Sequence, residues 1–138
     1  MTTVMGDHVA ELVTALQDLL DGRGEAYTAG AHVGTRLPST RVPESPQVPY
    51  VLVASDAPVP VAWPVLYRDT VRITAWHGRR EDARDLAALC QGLLVASYSG
   101  PLVRHVWAGS GPLAATDSET GLEMASVTVG VSVRLATA

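Results

Sequence analysis

The sequence predicts an α+β domain, with two helices packed on one face of a mixed, mostly antiparallel sheet of four to five strands. The expected order is α-β-β-β-α-β-β. Three observations predict it. The first is the stretch 69–94. It opens with Val71, Ile73 and Ala75 alternating against Arg72, Thr74 and Trp76, then changes period after His77-Gly78. Ala83, Leu86, Ala87, Cys90, Leu93 and Leu94 recur at helical spacing, so a strand with one apolar face runs into an amphipathic helix. The second is Val9, Leu12, Val13, Leu16, Leu19 and Leu20, which fall on a single helical stripe. The third is the stretch 124–135, where Val127, Val129, Val131, Val133 and Leu135 point one way and Thr128, Gly130, Ser132 and Arg134 the other. Narrow helix stripes and one-sided strands bury each other only as two layers.

Taken in order, residues 1–6 are expected as a loose start. The first helix follows over 7–21, with Asp7 and Glu11 near the positive end of its dipole and Gly22 as its stop. A short strand is expected over 31–37, placing Ala31, Val33, Thr35 and Leu37 on one face. Pro38, Pro43, Pro46 and Pro49 then forbid helix and ladder alike, so 38–49 reads as an extended loop. A buried strand over 50–54 leads to a second loop, 56–64, carrying Pro58, Pro60 and Pro64. The long strand is expected over 65–76 and the second helix over 80–97, ended by Ser99-Gly100-Pro101. In the strand expected over 102–108, Leu102, Val106 and Ala108 alternate against Val103, His105 and Trp107. Residues 109–121 read as a polar turn region, and the last two strands pair as a long hairpin. If the strands flanking the second helix share one sheet, their connection is a right-handed crossover and the sheet is mixed. Residues 1–138 form a single domain on this reading, with extended loops at 38–49 and 109–121.

Composition narrows the chemistry. A chain of 138 residues buries roughly 68% of its unfolded surface, enough for a core without staples. The single cysteine, Cys90, allows no intrachain disulfide and reads as a small buried hydrophobe on the second helix. The spacing of His8, His32, His77 and His105 supplies no zinc cluster. Net charge is −4, which argues against a nucleic-acid grip. All ten positive charges are Arg, a bias that fits a high-GC coding sequence better than any mechanism, although the planar fork suits interfaces better than the ammonium of Lys. No apolar run reaches the ~20 residues of a membrane span and no basic-then-apolar leader is present. The expectation is a soluble protein that stays where it is made. Gly22-Arg23-Gly24 is a helix stop, Gly109-Ser110-Gly111 a turn, and no nucleophile elbow occurs. Glu81, Asp82 and Asp85 read as a solvated helix shoulder rather than a metal site, and His77 lacks a partner motif. No catalytic, cofactor-binding or metal-binding residue is expected, and the chain is not expected to be an enzyme.

The informative residues lie on the sheet face opposite the helices. Trp76 and Trp107 there, with arginines beside them, would be exposed on an isolated subunit unless loops fold over them or the face assignment is off by one. The interface candidates are Arg36, Arg68, Arg72, Trp76, His105, Trp107 and Arg134.

The ordered pattern resembles the tail terminator, or tail completion, proteins of long-tailed bacteriophages. The matching features are the amphipathic opening helix, His32-Val33-Gly34-Thr35-Arg36-Leu37-Pro38, and the Pro-rich loop into Pro49-Tyr50-Val51-Leu52-Val53. Asp69-Thr70-Val71-Arg72-Ile73-Thr74-Ala75-Trp76, the helix around 83–94 and the closing Ser132-Val133-Arg134 complete it. The resemblance covers nearly the whole chain. It implies a small α+β virion subunit with no catalytic residues and no cofactor. It implies too that the subunit forms a ring, typically six-membered, on the end of the tail tube. Such a ring stops tube growth and joins the head connector, so the implied partners are self, the tail tube protein and the connector or stopper protein. DNA passing through the ring is compatible; membrane and sequence-specific nucleic-acid binding are not implied. The alternatives are a head-closure or stopper protein of the same neck, and a small ligand-binding α+β domain, which would need a concave pocket with convergent polar groups.

Overall fold

The computed structural model describes residues 3–36, 49–56, 58–62, 65–118 and 121–137. Strand β1 (Thr3–Val4) is followed by helix α1 (His8–Asp21), β2 (His32–Gly34), β3 (Tyr50–Ser55), β4 (Val59–Ala62), β5 (Leu66–His77), helix α2 (Arg80–Ser97), β6 (Val103–Ala108), β7 (Leu113–Thr116), β8 (Glu123–Arg134) and β9 (Ala136–Thr137). A 3-10 turn over Ala26–Thr28 lies between α1 and β2. The fold is α+β, with two helices on one side of a seven-stranded mixed sheet.

The sheet is built on β5 and β8. They pair antiparallel without a break from Leu66↔Arg134 to His77↔Glu123. Around them the order is β2-β3-β5-β8-β6, with β4 also against β5 and β7 against β8. β2 pairs parallel with β3, and the other described neighbours in this sheet are antiparallel. β5 and β6 therefore run parallel with β8 between them, joined by α2. The strand alternation decides the faces: Tyr67, Val71, Ile73 and Ala75 of β5 and Val127, Val129, Val131 and Val133 of β8 are buried with Leu12, Leu16, Ala83, Leu86, Cys90 and Leu94 of the helices. Cys90 is fully buried, and burial pushes its thiol up to about 12, so it acts as packing.

α1 starts where Asp7 accepts the Ala10 N–H at 2.9 Å, a side-chain cap. Gly22 follows its last turn at φ −85°, so it ends the helix without a left-handed residue. Polar side chains tie α1 to the sheet. Gln17 donates to the Ala31 carbonyl and accepts from the Val33 N–H, both at 2.9 Å, satisfying two backbone groups at β2. The Glu11 carboxylate accepts the N–H groups of Leu102 and Val103 at 2.7 and 2.9 Å, fixing the start of β6.

Several expectations need correction. Among the described residues the sheet has seven strands, not four to five. Residues 56–64 are not all loop: Val59–Ala62 pairs with the start of β5, and Pro60 fits because β4 lies at an edge, where an N–H is dispensable. Residues 109–121 contain β7, folded back on β8 from Leu113↔Ser126 to Thr116↔Glu123. Thr3–Val4 is a strand paired with Ala136–Thr137, not a loose start. The second strand stops at Gly34, and Leu37 with the Pro-rich stretch 38–48 lies outside the described residues. In β6 the pairing slips between Val103 and His105, so Arg104 is extra. That bulge turns Val103 into the core beside Val106, rather than outward with His105 and Trp107.

Candidate functional site

The helices cover one face of the sheet and leave the other. On the outer face, β8 presents Ser126, Thr128, Gly130, Ser132 and Arg134. Across the ladder these stand beside Thr74, Arg72, Thr70, Arg68 and Leu66 of β5. β6 adds His105 opposite Ser132 and Trp107 opposite Gly130. Gly130 is required by close approach: a Cβ there would lie 2.1 Å from the Trp107 Nε1. The half-buried indole thus lies flat on the strand, and the exposed His105 ring stacks beside it with centroids 5.9 Å apart.

The expected interface residues separate into three groups. Arg68, Arg134, His105 and Trp107 come together at the end of the sheet where β5 begins and β8 finishes, and Arg72 stands one pair further along. Arg104, which sequence reasoning did not single out, joins them. It lines a cleft of about 450 Å³ with Arg134, Val65, Leu66 and Leu135. Arg68 and Trp107 line a second, about 310 Å³, with Val59. Among the described residues Arg68, Arg104 and Arg134 form no ion pair, whereas Arg72 reaches Asp56 at 3.3 Å.

Trp76 does not belong to this exposed patch, and the expectation that it would is corrected. It is 3% exposed. Its indole N–H donates to Asp117 at 3.0 Å, its ring meets Tyr50, and its strand neighbour Thr74 is hydrogen-bonded to Ser126. The turn after β7 closes that end. Arg36 is exposed at the opposite edge, beyond β2, where its carbonyl accepts the Tyr50 hydroxyl.

A second polar group sits inside. His8 Nε2 lies 2.6 Å from Asp69 Oδ2, Ser55 Oγ donates to the same oxygen at 2.6 Å, and Tyr67 OH lies 3.0 Å from His8 Nδ1. Burial, then the Asp69 charge, push the Tyr67 phenol up to about 12. Ser, His and Asp are present, but the serine bonds the carboxylate rather than the imidazole. A nucleophile needs the opposite order, with the base on the hydroxyl and the carboxylate behind it. The cluster braces the start of α1 against β5. Near α2, His77 accepts the Gly78 N–H at Nδ1, while its buried Nε2 has no hydrogen-bond partner among the described residues. No group of three or more His, Cys, Asp or Glu among the described residues is placed to hold a metal ion.

Fold and face together define an α+β domain with one side covered by the helices and one outward sheet face that carries Arg68, Arg72 and Arg134. No family model matches the chain, and no curated protein does. No helix among the described residues is long and apolar enough to cross a membrane.

Proposed function

We propose that this chain is a structural subunit of a bacteriophage virion. In this reading it assembles as a ring, most simply a hexamer, on the end of the tail tube. The ring stops tube polymerisation and offers the surface that joins the tail to the head connector. The observation that carries the reading is the outer sheet face, where exposed Arg68, Arg72 and Arg134 surround the half-buried Trp107. Arginine around an aromatic anchor is the composition of protein interfaces. A ring further needs two different patches per subunit, and a domain with unlike faces supplies them.

The test is imaging of the purified protein mixed with tail tubes. Density capping the tube end is the expected result, with the protein alone forming monomers or weak oligomers in light scattering. Density at the portal instead would move the assignment to a stopper protein, and a tight dimer in solution would refute the ring.

A further inference from the structure

We infer that the subunit contact is made by the arginine end of the outer sheet face of one copy against the outward side of α1 of the next. This rests on the ring reading above and names its interface. The two surfaces are opposite in charge and lie on opposite sides of the same fold.

Along α1 the exposed residues are Asp7, Ala10, Thr14, Asp18 and Asp21, a single stripe at helical spacing. The helix contains no Lys or Arg, and its last turn holds no basic residue. The partial negative charge of the helix C-terminus therefore adds to Asp18 and Asp21 instead of being neutralised. Arg23, the nearest cation beyond the helix, is already paired with Glu25. Asp18 and Asp21 form no ion pair among the described residues; Asp21 accepts a hydrogen bond from Gln17 at 2.9 Å.

The opposing surface has the complementary deficit. Arg104 and Arg134 flank a cleft with Val65, Leu66 and Leu135, and Val65 is 67% exposed. Forked guanidinium donors match carboxylates and a helix C-terminus, and they desolvate more readily than ammonium groups. Ala10 and Thr14 are small, so the helix stripe permits close approach to that apolar floor. A contact between two unlike patches is heterologous, which closes into a ring or runs on as a filament according to its rotation.

The experiment is a charge swap between two variants, Arg104→Glu/Arg134→Glu and Asp18→Arg/Asp21→Arg. All four positions are exposed, and thermal melts check that both variants fold. Sedimentation equilibrium at low ionic strength reads self-association. Each variant alone should associate more weakly than wild type, by roughly tenfold or more, because each sets like charges together. An equimolar mixture should recover association through alternating copies, since every contact between unlike variants pairs opposite charges. For a contact too weak to sediment, Arg134→Cys combined with Asp21→Cys should give intermolecular disulfide ladders on oxidation that neither single variant gives. Absence of ladders, or variants that associate like wild type, or a mixture that does not recover, overturns the inference. Binding of duplex DNA that Arg104→Glu/Arg134→Glu abolishes, with no recovery of association on mixing, reassigns the arginines to phosphate and overturns it too. Tube capping separates the two proposals. Caps formed equally by both variants sink this interface and leave the ring standing, while wild-type protein that never caps tubes sinks the tail-end role and leaves the association measurement as read.

Discussion

Replacing Glu11 by Gln tests how α1 fixes the sheet. Its two carboxylate oxygens each accept one backbone N–H, Oε1 from Leu102 at 2.7 Å and Oε2 from Val103 at 2.9 Å. The change is nearly isosteric, so no cavity enters the result. The amide keeps one acceptor and turns an N–H₂ toward the other backbone N–H. One charge-assisted bond becomes a neutral one, and the second becomes an unsatisfied donor facing a donor. Hydrogen bonds to charged groups contribute about 1.5–3 kcal/mol and an orphaned buried donor costs about 1–3 kcal/mol, so the expected loss is roughly 2–4 kcal/mol. For a domain of this size each kcal/mol lowers Tm by about 3–5 °C, which places the variant roughly 6–20 °C below wild type. Differential scanning calorimetry at neutral pH measures it, with the exposed Asp18→Asn as a control expected within about 0.5 kcal/mol. The variant should also loosen Arg104, one residue past the anchored pair. A Glu11→Gln protein melting within 2 °C of wild type would refute the claim that this carboxylate holds the start of β6.

Other outcomes follow from the same structure. Gly130→Ala should displace the Trp107 indole and cost about 1–3 kcal/mol, as overpacking does, with most of that loss removed in a Trp107→Leu background; chemical denaturation measures both. Stability should fall at high pH: Tyr67 and Tyr98 are each pushed up to about 12, Tyr98 by burial and then its bond to Glu11. The unfolded chain releases those protons near 10, so stabilisation complete below about pH 10 is lost as pH rises toward 12, by roughly 2–3 kcal/mol for the buried Tyr67, and Tyr67→Phe should flatten that limb of the melting curve. Arg72→Glu and Arg134→Glu should impair capping of tail tubes without changing the melt. Normal capping by both removes those residues from the interface.

The long elements were legible because their own residues specify them. α2 spans Arg80–Ser97, as the apolar spacing and the Ser99-Gly100-Pro101 stop indicate, and β5 and β8 lie within a residue or so of their alternation. The short edge strands were not. All four residues of β4 are exposed and one is Pro60, and β7 reads Leu-Ala-Ala-Thr with no alternation. They are strands because a longer strand offers them a ladder, which a local pattern does not record. The outward direction of Trp76 was readable, but its burial depends on Asp117, distant by 41 residues. The bulge that exposes Arg104 left no mark in composition. The internal polar cluster could have been found. His8 continues the Leu12, Leu16, Leu20 spacing of α1, and Asp69 shares the inward parity of Tyr67, Val71 and Ile73. A charge on a core-facing position demands a buried partner.

The uninterrupted pairing of β5 with β8 has a mechanical consequence. Twelve residues of extended chain make a spar of about 40 Å. One tip is finished within the subunit by Trp76 and Asp117, and the other ends in guanidinium groups that form no ion pair among the described residues. Over that length a tilt of 1° moves the far tip by about 0.7 Å. Whatever seats itself on the arginine tip therefore sets the attitude of the whole body, and in the proposed ring the stiffness of the paired β5 and β8 would govern how accurately successive copies are aimed.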